Sequence, residues 1–348
     1  MSSVITRPGV PAPGNAGERR GPQGPAGDAI RAEALVRQFG GVRAVDGVDL
    51  AIPAGEIYGF LGPNGAGKST MVRMLCTLLA PTGGRALVAG YDVAAQPGQV
   101  RLRIGVALQE AALDPKQTGT ELLRLQGRLY GLSSRELTRR LADLGELIEL
   151  GDALDRPVGT YSGGMKRRLD LAAALVHNPE IVFLDEPTTG LDPASRARVW
   201  SEIRRLNQQL GMTIFLTTQY LEEADELAHR VGIIDRGRIV AVGTPAELKR
   251  SVGSDVIVAR VDGDAAAARA AVAAVAAVPG VSGVEAHGGE LVIAASDGAA
   301  AISPVAVALA GSALTVRDLT LRTPTLDDVF LELTGSHIEP ANHAEDPS

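Results

Sequence analysis

The sequence predicts an α/β protein with a mostly parallel sheet, followed by a small α+β domain. Three observations support this fold class. Strand and helix patterns alternate from Ile30 to about Arg250, and a glycine-rich loop joins an apolar strand to a helix near residue 65. After residue 250 the composition changes to alanine and valine with almost no lysine. The 348 residues are enough for one full domain and a smaller second one.

The domain boundaries follow from these shifts in composition. Residues 1–28 are rich in proline and glycine and hold few large apolar side chains, which predicts a disordered arm. The first domain is expected at 29–250, with a helical insert at about 110–160 where leucines recur at helical spacing. The accessory domain is expected at 251–335, and the polar residues 336–348 are expected to form a second disordered segment.

Within the first domain the patterns predict individual elements. Alternating and apolar runs predict strands at Arg31–Phe39, Val48–Ile52 and Ile57–Leu61. Helices are expected at Thr70–Leu79, after the glycine-rich loop, and at Met165–Val176. Together they describe a sheet with helical connections.

The accessory domain shows a different order of elements. The elements expected there are strand Asp255–Val261, helix Asp264–Val278, strands Val281–Ala286 and Glu290–Ala295, helix Gly298–Ala310 and strand Ala313–Leu321. This βαββαβ order is that of a ferredoxin-like unit. A short helix over Leu326–Leu333 follows it.

Charge and composition exclude several classes of function. There are 34 Lys and Arg against 41 Asp and Glu, a formal net charge of −7, so we expect no nucleic-acid partner. The single cysteine, Cys76, cannot form an internal disulfide, which suits a reducing compartment. No stretch has the roughly 20 strongly apolar residues of a membrane span, and the first residues lack the apolar core of a secretory signal. We expect a cytoplasmic protein.

The glycine-rich loop carries the strongest motif. It matches G-x-x-x-x-G-K-[ST] with Gly62, Pro63, Asn64, Gly65, Ala66, Gly67, Lys68, Ser69 and Thr70. In this P-loop, backbone amides and the following helix N-terminus bind phosphates, Lys68 reaches the β- and γ-phosphates, and Ser69 offers its hydroxyl to Mg²⁺. The loop therefore predicts nucleotide binding.

Two carboxylates end an apolar strand further along the chain. Asp185 and Glu186 follow the run Ile181–Leu184. Asp185 is expected to hold Mg²⁺ through its water shell, and Glu186 to polarise the water that attacks the γ-phosphate. Such a pair downstream of a P-loop predicts hydrolysis.

Two further segments are less specific by themselves. Ser162, Gly163 and Gly164 start a helix, and they suit either a simple serine N-cap or a second phosphate-binding helix end. The acidic run of Glu222, Glu223, Asp225 and Glu226 predicts a solvated helix face.

In combination, these segments resemble an ABC-transporter ATPase subunit, a P-loop NTPase with a RecA-like core, an antiparallel β subdomain and a helical subdomain. The P-loop, Gln109, the signature at 162–164, the Leu184–Pro187 segment and the loop at 190–192 occur in the order of that family. Segments 217–225 and 323–331 are more closely similar to the daunorubicin/doxorubicin-resistance ATP-binding proteins of bacterial drug exporters.

The resemblance implies a dimer that closes head to tail around two ATP–Mg²⁺. The residues that would serve one nucleotide within a subunit are the P-loop, Gln109, Asp185 and Glu186, with Ser69, Gln109 and Asp185 at the metal. Ser162, Gly163 and Gly164 would contact the partner subunit's nucleotide, Asp192 would line the interface, and Phe39 would stack on adenine. Gln109, Glu186 and Gln219 are the implied catalytic residues.

The resemblance also implies a peripheral protein at the cytoplasmic side of the cell membrane, where it would work with an ABC-2 type permease. Such a translocase would export a drug, an antibiotic or another amphipathic molecule. Two other readings remain open: a soluble ABC ATPase that acts on ribosomes or DNA, and a regulatory module that binds nucleotide without hydrolysis. The accessory domain could serve as a dimer contact, a regulator or a brace for the permease.

Two positions depart from the family pattern. Most of the superfamily has a histidine where this chain has Gln219, and an amide can donate a hydrogen bond but cannot carry the proton. We expect slow but real hydrolysis, because the drug-exporter subgroup shares this glutamine. Tyr161 and Met165 replace the usual leucine and polar residue of the signature, and backbone donation survives both changes.

Overall fold

The computed structural model describes residues 27–108, 113–262, 265–287, 289–312 and 314–335. The expected segment 336–348, Gln109 and most of the expected arm lie outside these residues. At the arm's predicted end, Asp28 already begins the first strand. No helix in the described part of the chain has both the length and the apolar character needed to cross a bilayer.

Residues up to 252 form two sheets and eight α-helices among those described. The strands are β1 (Asp28–Phe39), β2 (Val42–Pro53), β3 (Ile57–Leu61), β4 (Gly83–Val88), β5 (Tyr91–Asp92), β6 (Ile104–Ala107), β7 (Ile181–Asp185), β8 (Thr213–Thr218), β9 (Arg230–Asp235) and β10 (Arg238–Gly243). The helices are α1 (Lys68–Leu75), α2 (Pro97–Arg101), α3 (Gly119–Leu129), α4 (Ser134–Ile148), α5 (Gly163–Leu175), α6 (Pro193–Leu210), α7 (Leu221–Leu227) and α8 (Pro245–Val252). The predicted α/β class is confirmed.

The larger sheet has the order β10-β9-β3-β8-β7-β6, in which only β10 runs antiparallel. Its central strands β3, β7 and β8 are buried along their whole length. Continuous apolar runs are typical of parallel strands covered by helices on both faces. The smaller sheet, β2-β1-β4-β5, is antiparallel throughout its described strands.

Helix ends differ from the predicted ones for local reasons. The helix after the P-loop ends at Leu75, not at Leu79, because Thr77 adopts a left-handed φ of 62°. The next predicted helix begins two residues earlier, at Gly163, because the hydroxyl of Ser162 caps it by accepting from the amide of Met165. In the predicted helical insert, α3 and α4 each begin with a capping box.

The accessory unit is a four-stranded antiparallel sheet with two helices. Its elements are β11 (Asp255–Asp262), α9 (Ala265–Ala276), β12 (Val281–His287), β13 (Glu290–Ala295), α10 (Gly298–Ala310) and β14 (Thr315–Arg322). The strand order β12-β13-β11-β14 and the βαββαβ connection give the predicted ferredoxin-like topology.

The final helix, α11 (Leu326–Thr334), packs outside the accessory core. Leu326, Val329 and Phe330 are buried against Leu61 and Leu248 of the first domain. They belong to one apolar cluster with residues of α7 and β9. The last described helix of the span predicted as accessory domain therefore returns to the sheet that carries the P-loop.

Candidate functional site

Three neighbouring parallel strands end at the candidate site. In the larger sheet, β8 lies between β3 and β7. The P-loop leaves β3, Asp185 ends β7 with Glu186 directly after it, and Gln219 follows β8. Because open α/β sheets bind ligands beyond the carboxyl ends of their strands, the fold brings three distant segments to one binding edge.

At two positions of the P-loop another backbone segment lies so close that only glycine fits. A Cβ at position 62 would lie 2.4 Å from the carbonyl oxygen of Ile234, and a Cβ on Gly67 would lie 2.3 Å from that of Ala44. Gly67 also has a left-handed φ of 111°, where it precedes α1. The loop is therefore packed between other backbone segments, with the amino end of α1 at its close.

The other P-loop residues differ in exposure. Asn64 and Gly65 are exposed, whereas Pro63 is half-buried. Ala66 is buried, and its carbonyl accepts a hydrogen bond of 2.9 Å from the amide of Gly237. Thr70 is half-buried in the first turn of α1. The exposed tip of the loop is the part that solvent and a ligand can reach.

Lys68 is buried between backbone carbonyls and a carboxylate. Its ammonium donates to the carbonyls of Gly62 at 2.7 Å and Pro63 at 3.1 Å, and it lies 3.3 Å from Oε1 of Glu186. Burial lowers the pKa of Lys68, and the charge and hydrogen bond of Glu186 act in the opposite direction. The ammonium is thus held against the loop that is expected to bind phosphates.

Asp185 and Ser69 meet across the site. The hydroxyl of Ser69 donates to Oδ1 of Asp185 at 3.3 Å, and the hydroxyl of Thr217 donates to the same oxygen. Asp185 is buried at the end of β7. A hydroxyl and a carboxylate are the hard oxygen donors that Mg²⁺ prefers, so these two side chains fit the predicted metal site.

Glu186 occupies a strained backbone position. Its φ is 48°, a left-handed value that costs a non-glycine residue about 1–3 kcal/mol. The amide of Glu186 donates to the carbonyl and hydroxyl of Thr217, each at 3.1 Å, and Oε2 accepts from the hydroxyl of Thr189 at 3.3 Å. These contacts fix the carboxylate beside Lys68.

Gln219 follows β8, next to this cluster, and its side-chain amide is buried. The residue is only 4% exposed, and among the described residues its Oε1 has no hydrogen-bond partner. Leaving a buried polar atom unpaired costs free energy unless a ligand or water meets it. This observation is compatible with the predicted contact between Gln219 and a nucleotide.

The signature residues pack beside the Asp192 loop. A Cβ on Gly164 would lie 3.1 Å from the hydroxyl of Ser195, and one on Gly163 would lie 3.9 Å from Leu191. Ser195 in turn donates its amide and hydroxyl to Asp192, the N-cap of α6, and these bonds lower the pKa of Asp192. Ser162 and Gly163 are exposed, as a surface for a partner would require.

The two unusual signature side chains pack within the helical subdomain. Tyr161 is buried, and its hydroxyl donates to the carbonyl of Ala153. Met165 is half-buried against the apolar cluster of α3 and α5. Both side chains pack within this subdomain, and neither change removes a backbone amide at the start of α5.

Phe39 and Gln109 complete the predicted set. Phe39 is 46% exposed at the end of β1, and the guanidinium of Arg37 lies 4.5 Å from its ring centroid. An exposed ring is compatible with the predicted stacking on adenine. Gln109 lies outside the described residues.

Arg167 was missed by the sequence patterns. From α5 its guanidinium donates to the carbonyls of Leu108 at 2.7 Å, Pro187 at 2.9 Å and Asp185 at 3.2 Å. It therefore ties the signature helix to the ends of β6 and β7. An arginine within the basic run Lys166–Arg168 gives no signal of this role, because its acceptors are backbone atoms of distant residues.

The prediction of a solvated acidic face was wrong for Glu223. Glu222 and Asp225 are exposed, but Glu223 is 0% exposed. Its carboxylate accepts from the hydroxyl of Thr188 at 2.8 Å and from the indole N–H of Trp200 at 2.9 Å. The signal was available, since Glu223 lies on the same helical face as the apolar Leu227, four residues later.

Comparison with known families gives two matches on this chain. Residues 45–189 match the family model described as ABC transporter. This range contains the P-loop, the signature and the two carboxylates at the end of β7. Residues 243–334 match the model described as ATP-binding protein DrrA1-3-like, C-terminal domain.

Full-length relatives are similar over most of the chain. The daunorubicin resistance ATP-binding protein DrrA2 of Streptomyces coeruleorubidus is 48% identical over 313 residues, 90% of this chain and 97% of the relative. The daunorubicin/doxorubicin resistance ATP-binding protein DrrA of Streptomyces peucetius is 49% identical over 307 residues, 88% of this chain and 92% of the relative.

A solved structure supports the same fold. A structure described as a dimeric bacterial ABC transporter cassette superimposes with a TM-score of 0.57 at 25% identity. The match covers 62% of this chain and 98% of that structure. The accessory unit is additional to such a cassette.

Proposed function

The chain belongs to the ABC transporter ATP-binding family that includes the daunorubicin/doxorubicin-resistance proteins, and from this we propose that it hydrolyses ATP to drive the export of a drug or another amphipathic molecule. The observation that carries the proposal is the cluster at the ends of β3 and β7. There Lys68 lies 3.3 Å from Glu186, and Ser69 donates to Asp185.

The cluster divides the work of phosphoryl transfer among its side chains. The P-loop amides and Lys68 bind the β- and γ-phosphates and stabilise the negative charge that develops on them. Glu186 accepts a proton from the water that attacks the γ-phosphate, for which its carboxylate is held at the site by Lys68 and Thr189. Mg²⁺, which Ser69 and Asp185 would hold, neutralises part of the phosphate charge.

Gln219 takes the place of the usual histidine. Its amide N–H can donate to a γ-phosphate oxygen, but it gains no charge at low pH. We therefore propose hydrolysis without the pH dependence that a histidine at this position would introduce near its pKa of about 6.5.

The exposed signature supports a head-to-tail dimer of two copies. Ser162, Gly163 and Asp192 lie together at the surface beside the starts of α5 and α6. A γ-phosphate held between the P-loop of one copy and the signature of the other favours the closed dimer, and its loss on hydrolysis favours reopening. The cassette structure that matches this fold is described as dimeric.

Export requires a membrane partner. Since the described helices include none that can span a bilayer, we propose that a separate integral permease of the ABC-2 type carries the substrate and that this chain docks at its cytoplasmic side. The names of the two relatives point to anthracycline drugs as the cargo class to test first.

An ATPase assay on the full chain tests the enzymatic part of the proposal. The wild-type protein should release phosphate from ATP–Mg²⁺, and Glu186→Gln should lower kcat at least 100-fold while ATP binding persists. Glu222→Gln is the matched control, because Glu222 is an exposed carboxylate and should leave kcat within twofold. A wild-type protein that binds ATP tightly without hydrolysing it would instead indicate a regulatory module.

A further inference from the structure

The carboxylate of Glu223 joins three separate segments of the first domain. Oε1 accepts from Thr188, in the loop between Glu186 and Asp192, and from Trp200, in the middle of α6. Glu223 itself lies in the first turn of α7, four residues after Gln219. One buried oxygen thus links the segment of Gln219 to the loop after β7 and to α6.

A second contact connects the same two elements. The guanidinium of Arg196, on α6, lies 4.5 Å from the centroid of the Tyr220 ring. Tyr220 is adjacent to Gln219, and Arg196 lies one helical turn from the N-cap Asp192, whose carbonyl accepts from the Arg196 amide. Tyr220 and Glu223, which follow Gln219 by one and four positions, therefore both contact α6.

The choice of a carboxylate here needs a reason beyond packing. Burial raises the pKa of Glu223, and the hydrogen bonds from Thr218, Thr188 and Trp200 only partly offset it. A buried ionisable group is weak support for stability, because apolar residues of similar volume often stabilise a core equally well. Its value lies in fixing the relative position of the segments that donate to it.

We propose that Glu223 is a positioning residue that makes the Gln219 segment and the Asp192 loop move as one unit. Contact between Gln219 and a γ-phosphate in one active site would then displace Thr188, α6 and Asp192 together. Because Asp192 lies beside the signature, this carries the state of a subunit's own nucleotide to the surface that faces its partner. The inference rests on the proposed ATPase function.

Steady-state kinetics separate positioning from simple stabilisation. In the full chain, Glu223→Ala should lower kcat for ATP at least tenfold and change the affinity for ATP less than threefold, since no P-loop contact is removed. Glu223→Gln keeps an oxygen that can accept both hydrogen bonds and should recover at least half of the wild-type kcat. Glu222→Ala, one residue away and exposed, should stay within twofold in both parameters.

Thr188→Val gives a milder test in case Glu223→Ala does not fold. Valine has nearly the same shape as threonine and removes only the donor to Glu223. We expect kcat to fall about threefold or more, with ATP affinity unchanged. The inference is overturned if Thr188→Val matches the wild type in kcat, or if Glu223→Ala loses ATP affinity in parallel with kcat.

Trp200 supplies a direct readout of the movement, because it is the single tryptophan of the chain. In a Glu186→Gln background, which prevents turnover, ATP–Mg²⁺ should change the Trp200 emission and ADP–Mg²⁺ should not. Adding Glu223→Ala should abolish the response to ATP while ATP still binds. An ATP response that persists without Glu223 would contradict the inference.

The ATPase function and the positioning role of Glu223 are refuted by different results. A wild-type chain that does not hydrolyse ATP refutes the proposed function. A wild-type chain that does, beside a Glu223→Ala variant with normal kcat and a normal Trp200 response, refutes only the positioning role.

Discussion

The ammonium of Lys68 lies 3.3 Å from Oε1 of Glu186, and both side chains are almost fully buried. The pair connects the residue expected to bind phosphate with the residue expected to activate water. Removing either partner of a buried pair leaves an uncompensated charge, at a cost of about 3–5 kcal/mol. The affinity of the site for ATP and the stability of the fold therefore share one contact.

Lys68→Ala should weaken ATP binding and lower thermal stability, and a second substitution should restore only the stability. The variant should bind ATP at least tenfold more weakly, because the phosphates lose their cation, and should unfold at a lower temperature. The double variant Lys68→Ala with Glu186→Gln should regain thermal stability without regaining ATP binding. Lys116→Ala, at an exposed loop position, is the control, and equal effects of both lysines on binding would contradict the assignment.

Gln219 is expected to matter for turnover more than for affinity. Its side chain is buried beside the phosphate site with Oε1 unpartnered among the described residues. Gln219→Ala should lower kcat about tenfold with little change in ATP affinity, measured by phosphate release and by binding of a fluorescent ATP analogue. Gln208→Ala, on the exposed face of α6, is the control and should leave kcat and ATP affinity unchanged.

A histidine at the same position should add a pH dependence. Gln219→His should give a kcat that changes between pH 5.5 and 7.5, the range in which imidazole titrates, beyond any change seen in the wild type. Identical pH profiles for the two proteins would show that residue 219 does not contact the reacting phosphate.

His177 predicts a loss of stability in acid. Burial lowers its pKa from 6.5 to about 4, and its Nε2 lies 2.9 Å from the carbonyl of Ile104. The imidazole of His177 therefore takes up a proton near pH 6.5 in the unfolded chain but only near pH 4 in the folded chain. This contribution to stability is complete above pH 6.5 and is lost progressively as the pH falls from 6.5 to about 4.

His177→Phe isolates this effect from the other titrating groups. Phenylalanine can keep the stack on Tyr130, whose ring centroid lies 3.6 Å from that of His177. Melting temperatures measured between pH 7.5 and 4.5 should fall less steeply for the variant than for the wild type. Asp170 and Glu202, whose pKa values burial raises to about 6 and about 7, respond in the opposite direction and are common to both proteins.

The docking of α11 can be tested by removing one aromatic side chain. Phe330 is buried among Leu61, Val231 and Leu248, so Phe330→Ala should lower the free energy of unfolding by roughly 3–5 kcal/mol. Leu333→Ala on the same helix, where the side chain is 43% exposed, should cost far less. Denaturant titrations give both values, and an equal cost at the two positions would mean that α11 does not hold this contact in solution.

The predictable part of this protein is the part that lies in short contiguous segments. The P-loop places Lys68 and Ser69 by its own spacing, and the ferredoxin-like order of the accessory unit follows from its run of strands and helices. The contacts of Arg167 with Leu108 and of Glu223 with Thr188 join residues 59 and 35 positions apart. These contacts depend on how helices and strands pack against each other, and a short sequence pattern contains no information about that packing.

The return of α11 to the first domain changes the topology of the accessory unit. The ferredoxin-like sheet lies between α8 and α11 in the chain, and both helices contribute side chains to one apolar cluster of the first domain. The sheet is therefore an insertion whose two ends are anchored at the same place. A truncation after residue 250 would therefore remove the α11 side chains from the apolar cluster that contains Leu61, at the base of the P-loop, and would confound any measurement of what the accessory unit does. Excising 255–322 and bridging the ends with a short linker would remove the sheet and leave its anchor in place.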